Sequence, residues 1–269
     1  MTDQNRIETF YDQYSEREIT RSSRHRMEFE ITFRTIQEKL PTAPVMVLDI
    51  GGGPGYYSMK LASLGHNVTL LDLSTRNLEN AQRMAAEQCA LIRNYVHGTA
   101  LDLSDFASHE FDAVLLMGPL YHLLTAPERI QAVQEARRVL KPGGLIFAAF
   151  ISRFAPFRDA AHRGSSWVED HPDWTDRVLN EGINCQEWGG FTDAYFEWPE
   201  AIAPFMEENG FLTDQITGCE GVVASNEDFL NSLQEPGWRA WLDLNYRLSK
   251  SPAILGASDH LLYCGRSNP

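Results

Sequence analysis

The sequence predicts an α/β protein built on a doubly wound, mostly parallel sheet with helices on both faces. Three observations carry that expectation. Short continuous apolar runs alternate with amphipathic segments from Val45 to Ile151, as buried parallel strands and their crossover helices require. A glycine-rich turn, Gly51-Gly-Gly-Pro-Gly55, joins the first apolar run to the first helix of that series, and such a turn lets a ligand approach backbone N–H groups. The 269 residues are 43% apolar and 22% charged, which is ordinary globular composition for one large domain.

Residues 3–40 read as two helices. Ile7, Phe10, Tyr11 and Tyr14 recur at helical spacing, then Met27, Phe29, Ile31, Phe33, Ile36 and Leu40, and Pro41 and Pro44 close the section. Val45–Ile50 is the first buried strand; the helix after the glycine turn runs to about Leu64, and Gly65 stops it. Asn67–Leu71 is the next strand, 75–90 a helix, 93–97 extended and Asp112–Met117 a third buried run. A helix over about 126–140 ends at Lys141-Pro-Gly-Gly144, and Leu145–Ile151 follows as a strand. Residues 152–197 hold no clean period and are rich in Trp, Gly and Asp, which reads as a cap set into the domain. The rhythm resumes with a helix at Pro199–Asn209, a stop at Gly210 and a strand at Phe211–Thr217. Residues 226–248 read as an inserted helical pair, and His260–Gly265 as a final strand.

Charge and composition narrow the partners. The formal charge is −14, from 23 basic and 37 acidic side chains, so a nucleic-acid partner meets a repulsive field. The one dense basic segment, Arg17, Arg21, Arg24 and Arg26, is interleaved with Glu16, Glu18, Glu28 and Glu30 and reads first as a solvated helix face. No apolar run reaches the roughly 18–20 residues of a membrane span, and Met1 to Arg6 is too hydrophilic for a signal peptide. Cys89, Cys185, Cys219 and Cys264 lie far apart without a C-x-x-C pair, so neither a zinc site nor a disulfide framework is expected. The expectation is a cytoplasmic protein with no membrane, nucleic-acid or metal partner.

The glycine turn carries the chemistry. Its spacing is G-x-G-x-G with Tyr56 where the dinucleotide fingerprint requires a third glycine. Asp49 stands at the strand end, where an acid repels a pyrophosphate but suits orienting the loop or pairing with an ammonium. Asp72, 21 residues after Gly51 and followed by Leu73, suits the two hydroxyls of a ribose. Its competing reading is a turn or helix cap, a duty that Ser74 or Thr75 can supply. Gly98-Thr-Ala-Leu-Asp-Leu103 follows the third strand and offers adenine contacts at Ala100, Leu101 and Asp102.

Taken in order, Asp49-Ile-Gly-Gly-Gly-Pro-Gly55, Leu71-Asp72, Gly98-Thr-Ala100, Phe111-Asp-Ala-Val-Leu-Leu-Met117 and Arg138-Val-Leu-Lys-Pro-Gly-Gly144 resemble the motifs of class I S-adenosylmethionine-dependent methyltransferases of the small-molecule type. The resemblance covers about residues 45–150 and resumes at 199–218 and 260–265. It implies a Rossmann-like seven-stranded sheet with the last strand antiparallel. It implies S-adenosylmethionine as cofactor, S-adenosylhomocysteine as product, Gly51, Gly53 and Asp72 as cofactor residues, and Met117 near the sulfonium. Thr99 departs from the acid that many relatives carry, which leaves adenine contacts to the backbone or to Asp102. The expected organisation is one domain: a helical lid at 1–44, a cofactor-binding core at 45–151, a cap at 152–198, and 199–269 completing the core around a helical insertion at about 221–257.

Methyl transfer requires an aligned acceptor, removal of its proton and exclusion of water, and no fixed residue set supplies these. Met117-Gly-Pro-Leu-Tyr121 lacks the polar residue of the Asn/Asp-Pro-Pro-aromatic run of enzymes that methylate nucleic-acid bases. His122 is the candidate general base, with an ordinary pKa near 6.5, or a loop histidine bonded to backbone; Tyr121 lines the acceptor pocket or packs. Arg153 reads as a carboxylate clamp or an exposed arginine. Glu220 and His260 follow and precede the last two strands, and no spacing rule makes them metal ligands with His122. Trp167, Trp174, Trp188, Phe191, Tyr195, Phe196 and Trp198 crowd the cap and either line a flat or cationic acceptor or build a small core of their own. Tyr11 and Tyr14 close over the cofactor or are a buried stripe, and Arg21, Arg24 or Arg26 can reach a cofactor carboxylate. The expected function is methyl transfer to O, N or C of a small metabolite, with the oligomeric state open. The rivals are an RNA or protein methyltransferase, a noncatalytic S-adenosylmethionine-binding protein, and a nicotinamide oxidoreductase weakened by Tyr56.

Overall fold

The structure is a computed structural model that describes residues 3–164, 166–185 and 192–268. The N-terminal section holds three helices rather than two: α1 (Asp3–Glu18), α2 (Arg21–Arg24) and α3 (Arg26–Lys39). The backbone leaves helical geometry at Thr20 and at His25 (φ −108°, ψ 52°). These breaks let α1 run beside a later helix while α3 lays Phe33 and Ile36 on the sheet.

The central layer is assembled from β1 (Met46–Ile50), α4 (Tyr56–Ser63), β2 (Asn67–Asp72), α5 (Thr75–Glu87), β3 (Asn94–His97), β4 (Phe111–Leu116), α6 (Ala126–Val139) and β5 (Leu140–Ile151). Alternate strand residues point to opposite faces, and the apolar ones divide accordingly. Leu48, Ile50, Val114, Leu116 and Ile146 pack with α6, whereas Val47, Val68, Ala113, Leu115 and Phe147 pack with α3 and α4. Helix α6 starts at a capping box in which Thr125 and Glu128 satisfy each other's backbone N–H groups. Strand β5 begins earlier than the sequence suggests. Leu140 already pairs with Phe111, and the register shifts before Ala113 meets Leu145, so Lys141-Pro-Gly-Gly144 is an irregularity inside the strand. Gly143, at φ +74°, supplies the left-handed residue this needs.

The stretch after β5 contains α7 (Ala155–His162), α8 (Trp167–Asp170), α9 (Pro172–Glu181) and a hairpin of β6 (Ile183–Asn184) with β7 (Ala194–Tyr195). These pieces are too short to show a period in sequence. Trp174, Val178, Ala194 and Phe196 form their own cluster against Tyr121 and Ile151, so part of the aromatic content builds local core. The chain then continues through α10 (Ile202–Glu208), β8 (Phe211–Gly218), α11 (Glu227–Ser232), α12 (Gly237–Leu248), α13 (Pro252–Leu255) and β9 (His260–Ser267).

The seven-stranded sheet has the order β3-β2-β1-β4-β5-β9-β8. Strand β9 runs antiparallel to both β5 and β8, and the β1–β5 pairings are parallel. The expected seven strands with an antiparallel last one are therefore present. His260, the first residue of β9, pairs with Ile151 at the end of β5, which brings it to the edge where β1, β2 and β4 also end. Ligands of such sheets bind at this edge. Among the described residues, no helix is long and apolar enough to cross a membrane.

Candidate functional site

A cavity of about 990 Å³ opens at the carboxyl ends of the strands, between them, the N-terminal helices and the cap. One wall is mostly backbone. Gly51, Gly53 and Gly55 have φ of +71°, +57° and +83°, values that favour glycine. A Cβ on Gly51 would lie 2.8 Å from Cδ of Pro119, whereas one on Gly53 would meet nothing within 4 Å. The turn thus packs tightly at its first glycine and leaves open space at its third residue. Gly51 N–H donates to the Leu71 carbonyl at 2.7 Å, and Gly53 N–H to Oδ2 of Asp72 at 2.7 Å.

Asp72 is a buried acid on this wall. Its Oδ1 accepts from Ser74 N–H at 2.9 Å and from Asn77 Nδ2 at 3.3 Å. A carboxylate has about four lone-pair sites, so three bonds fix the group and leave capacity for a ligand hydroxyl. Burial raises its pKa against these hydrogen bonds. Ser74, not Asp72, caps α5, its hydroxyl accepting from Asn77 N–H at 3.1 Å. Leu73, Ala100 and Met117 line the same space.

Three expected cofactor contacts lie elsewhere. Asp49 is fully buried beneath the turn and off the cavity wall. Its Oδ2 accepts from the Ser58 hydroxyl at 2.7 Å, and burial pushes the carboxyl up to about 7. It therefore braces the turn from below rather than meeting an ammonium. Leu101 packs into the core under α6, with its carbonyl accepting from Gln131 Nε2 at 2.7 Å. Asp102 is exposed and accepts from Ser104 N–H at 3.0 Å in a local turn, so both point away from the cavity.

The opposite wall is made of side chains. The Tyr11 hydroxyl lies 2.6 Å from Nε2 of His122, whose Nδ1 faces the Asp193 carbonyl at 3.4 Å. Burial, seconded by Arg21, pushes His122 down to about 4. The ring is therefore neutral, donating from Nδ1 and accepting the Tyr11 proton at Nε2. This differs from the ordinary pKa on which its expected role as a base relied. Tyr121 donates to the Met117 carbonyl at 3.1 Å, burial holding its phenol at about 12. Tyr14 lines the rim, 44% exposed, against Phe10.

Beside them lies a charged cluster drawn from four places in the chain. Arg21 Nη2 donates to Glu28 Oε1 at 3.1 Å and lies 3.4 Å from His260 Nε2. Glu220 Oε1 is 2.6 Å from His260 Nδ1. Glu220 Oε2 accepts from the backbone N–H groups of Asp259 and His260 at 3.1 and 2.9 Å. Burial works to raise Glu28, but Arg21 and His260 outweigh it and hold the carboxyl at about 2. Glu28, Glu220 and His260 each bring a ligand-type atom within 4.8 Å of the others, although Arg21 already balances part of their charge. The sequence singled out Glu220 and His260 and left Arg21 among three arginines. It missed Glu28, whose partners are up to 232 positions away and leave no local signal.

Two further expectations are corrected. Arg153 is 5% exposed and is no carboxylate clamp. It donates to the Phe196 carbonyl at 3.1 Å and the Leu179 carbonyl at 3.3 Å, with Glu197 at 3.9 Å. It ties the cap to the sheet because a buried guanidinium must satisfy its donors with fixed carbonyls. Tyr195 turns away from the cavity, stacking on Arg129 (3.4 Å to the ring centroid) and donating to Glu197 at 2.9 Å. Trp167 and Trp174 do line the cavity. Trp188 and Phe191 lie outside the described residues.

Comparison with known proteins bears on this geometry. Residues 47–144 match the family model described as "Methyltransferase domain". The ubiquinone biosynthesis O-methyltransferase of Cereibacter sphaeroides is 34% identical over 135 residues, 50% of this chain and 53% of that protein. The chain spans about half the length of the first such curated relatives it matches. Among solved structures, the Methanosarcina mazei SAM-dependent methyltransferase has TM-score 0.58 at 19% identity, covering 87% of this chain and 97% of its own. Magnesium protoporphyrin IX methyltransferase from Synechocystis PCC 6803 with bound SAM has TM-score 0.58 at 12% identity, covering 100% and 98%. At these identities the structures establish a shared fold.

Proposed function

We propose that this chain, which by its domain and its fold belongs with the class I S-adenosylmethionine-dependent methyltransferases, transfers a methyl group to a small-molecule acceptor bound in the 990 Å³ cavity. One observation carries the reading. The glycine turn is pinned to Asp72 by the Gly53 N–H bond, while the space a Gly53 Cβ would fill stays open. A ribose hydroxyl can therefore reach a fixed carboxylate, and backbone can approach the ligand closely. When bound, the cofactor supplies an electrophilic methyl group on a sulfonium. Gly51, Gly53, Asp72, Leu73, Ala100 and Met117 would hold it, with S-adenosylhomocysteine as the product.

The acceptor side would be Tyr11, Tyr14, Tyr121, His122, Glu220 and His260. The curated relatives named for O-methyl transfer favour oxygen over nitrogen or carbon as the methylated atom. Residues of the N-terminal helices and the cap line the cavity; closing them over bound ligands would exclude water and strengthen the polar contacts inside. A net charge of −14 disfavours an RNA acceptor. The test is to incubate the full chain with S-adenosylmethionine and panels of phenols, carboxylic acids and amines, measuring S-adenosylhomocysteine. Product with a small molecule is expected. Product only with RNA or a protein, or with nothing, contradicts the proposal.

A further inference from the structure

We propose that His260, held by Glu220, is the general base that takes the proton from an acidic hydroxyl of a planar, phenol-like acceptor, with Arg21 stabilising the oxyanion. The inference rests on the methyltransferase reading above and assigns its acceptor class and its base. The geometry is that of a base oriented by a third group. Both oxygens of Glu220 are committed: Oε2 accepts two backbone N–H groups and Oε1 sits 2.6 Å from His260 Nδ1. An anchored carboxylate is acceptor-only, so when the ring is neutral its proton resides on Nδ1 and Nε2 carries the lone pair. Nε2 faces the Arg21 guanidinium at 3.4 Å. His260, Glu220 and Arg21 all line the cavity. Arg21 is itself held by Glu28 at 3.1 Å. An acceptor oxygen that bridges Nε2 and the guanidinium from the cavity side, off the line joining them, meets a proton acceptor and a fixed positive charge together.

The electrostatics agree. The charged groups facing His260 are Glu28 of α3, Glu220 before it, Arg21 of α2, and His25, whose ring is 6.3 Å away and bonded to Glu227 of α11. Asp259 adjoins it and is paired with Arg158 of α7. Burial draws His260 down, but Glu28 and Glu220 outweigh it and raise it to about 9. His122 sits at about 4, with Tyr11 already at its Nε2. Of the two cavity histidines, His260 is far the stronger proton acceptor. Below about pH 9 the ring is charged, so it acts as a base in its neutral form, populated in the range where a phenolic hydroxyl, ordinarily near 10, also ionises. Phe10, Tyr14, Tyr57 and Trp167 also line the cavity, and aromatic lining suits a flat ring.

The step balances. The hydroxyl proton passes to Nε2, the oxygen lone pair forms the new O–C bond, and the donor's C–S bond breaks with its electron pair returning to sulfur. His260 then releases the proton to solvent.

The test uses 4-nitrocatechol, whose phenolate is coloured, with the full chain saturated with S-adenosylhomocysteine. The dye is expected to bind and to ionise at lower pH than in solution. In His260→Gln its ionisation should move back by about one pH unit or more, a ~10-fold change in proton affinity. As a second readout, histidine NMR should show His260 titrating well above the ordinary range and falling toward it in Glu220→Gln. Any of three results overturns the assignment: no dye binding at millimolar concentration, unchanged dye ionisation in a His260→Gln protein that still binds S-adenosylhomocysteine, or loss of ionisation in wild type on adding EDTA. The last would give Glu28, Glu220 and His260 to a cation. Failure of the wild type to bind S-adenosylhomocysteine at all would instead remove the methyltransferase reading beneath it.

Discussion

On one wall of the cavity, the Gly53 N–H of a single turn meets one carboxylate 19 positions away, Asp72. On the other, Arg21, Glu28, Glu220 and His260 come together across up to 239 positions. The first wall is shaped by three positive-φ glycines and held by the N–H bonds of Gly51 and Gly53 to Leu71 and Asp72. The second is held by paired charges, whose strength depends on protonation and on burial. A backbone-built wall suits a constant ligand such as a nucleoside, and a side-chain wall can be rewritten for each acceptor. Substitutions on the two sides should therefore have separable effects.

The largest separation is expected at Arg153. Arg153→Ala leaves the Phe196 and Leu179 carbonyls without their buried donor. Stability in urea should fall by about 3 kcal/mol, with affinity for S-adenosylhomocysteine within ~2-fold of wild type because the first wall is untouched. Equal loss of both would mean that the cap and the cofactor wall are one unit. Tyr11→Phe should have a smaller effect. Losing the bond to His122 costs about 1 kcal/mol, so α1 amides should exchange roughly 5-fold faster by mass spectrometry. Unchanged exchange would show that Tyr11 does not hold the helix down.

This contrast also explains how far the sequence could be read. The alternation of strands and helices was legible because apolar runs and turn residues are local, the antiparallel β9 was implied by the family resemblance, and Gly51, Gly53 and Asp72 were legible as cavity residues. Asp49 and Asp102 were misplaced toward the ligand because a strand end or a turn does not disclose which way a carboxylate points. Arg153 read as a clamp because a lone arginine carries no sign of the carbonyls that will surround it. Glu28 left no trace, since its charged partners lie on other elements. His122 was legible as a cavity residue, but its depressed pKa comes from burial and from Arg21, which only the folded chain supplies.

The pH dependence separates the groups further: His260 on one wall and Asp49 beneath the other are raised, and Glu28 is lowered. His260 is raised from 6.5 to about 9, so its contribution to stability is full below about 6.5 and is lost as pH rises through 9. Glu28 is lowered from 4.5 to about 2, so its contribution is full above about 4.5 and is lost as pH falls through 2. Asp49, raised from 3.8 to about 7, favours the fold only while protonated. From pH 4 to pH 8, Asp49→Asn should therefore gain in Tm relative to wild type. A difference that does not vary with pH would contradict the burial of a titrating Asp49.

The central claim is that the glycine turn and Asp72 form a nucleoside site. Isothermal titration of S-adenosylhomocysteine into wild type and into Asp72→Ala tests it most directly. The account predicts measurable binding to wild type and a loss of roughly 10–100-fold in the variant, the value of a charge-assisted hydrogen bond, with an unchanged circular dichroism spectrum. Equal affinity in the two folded proteins would contradict it.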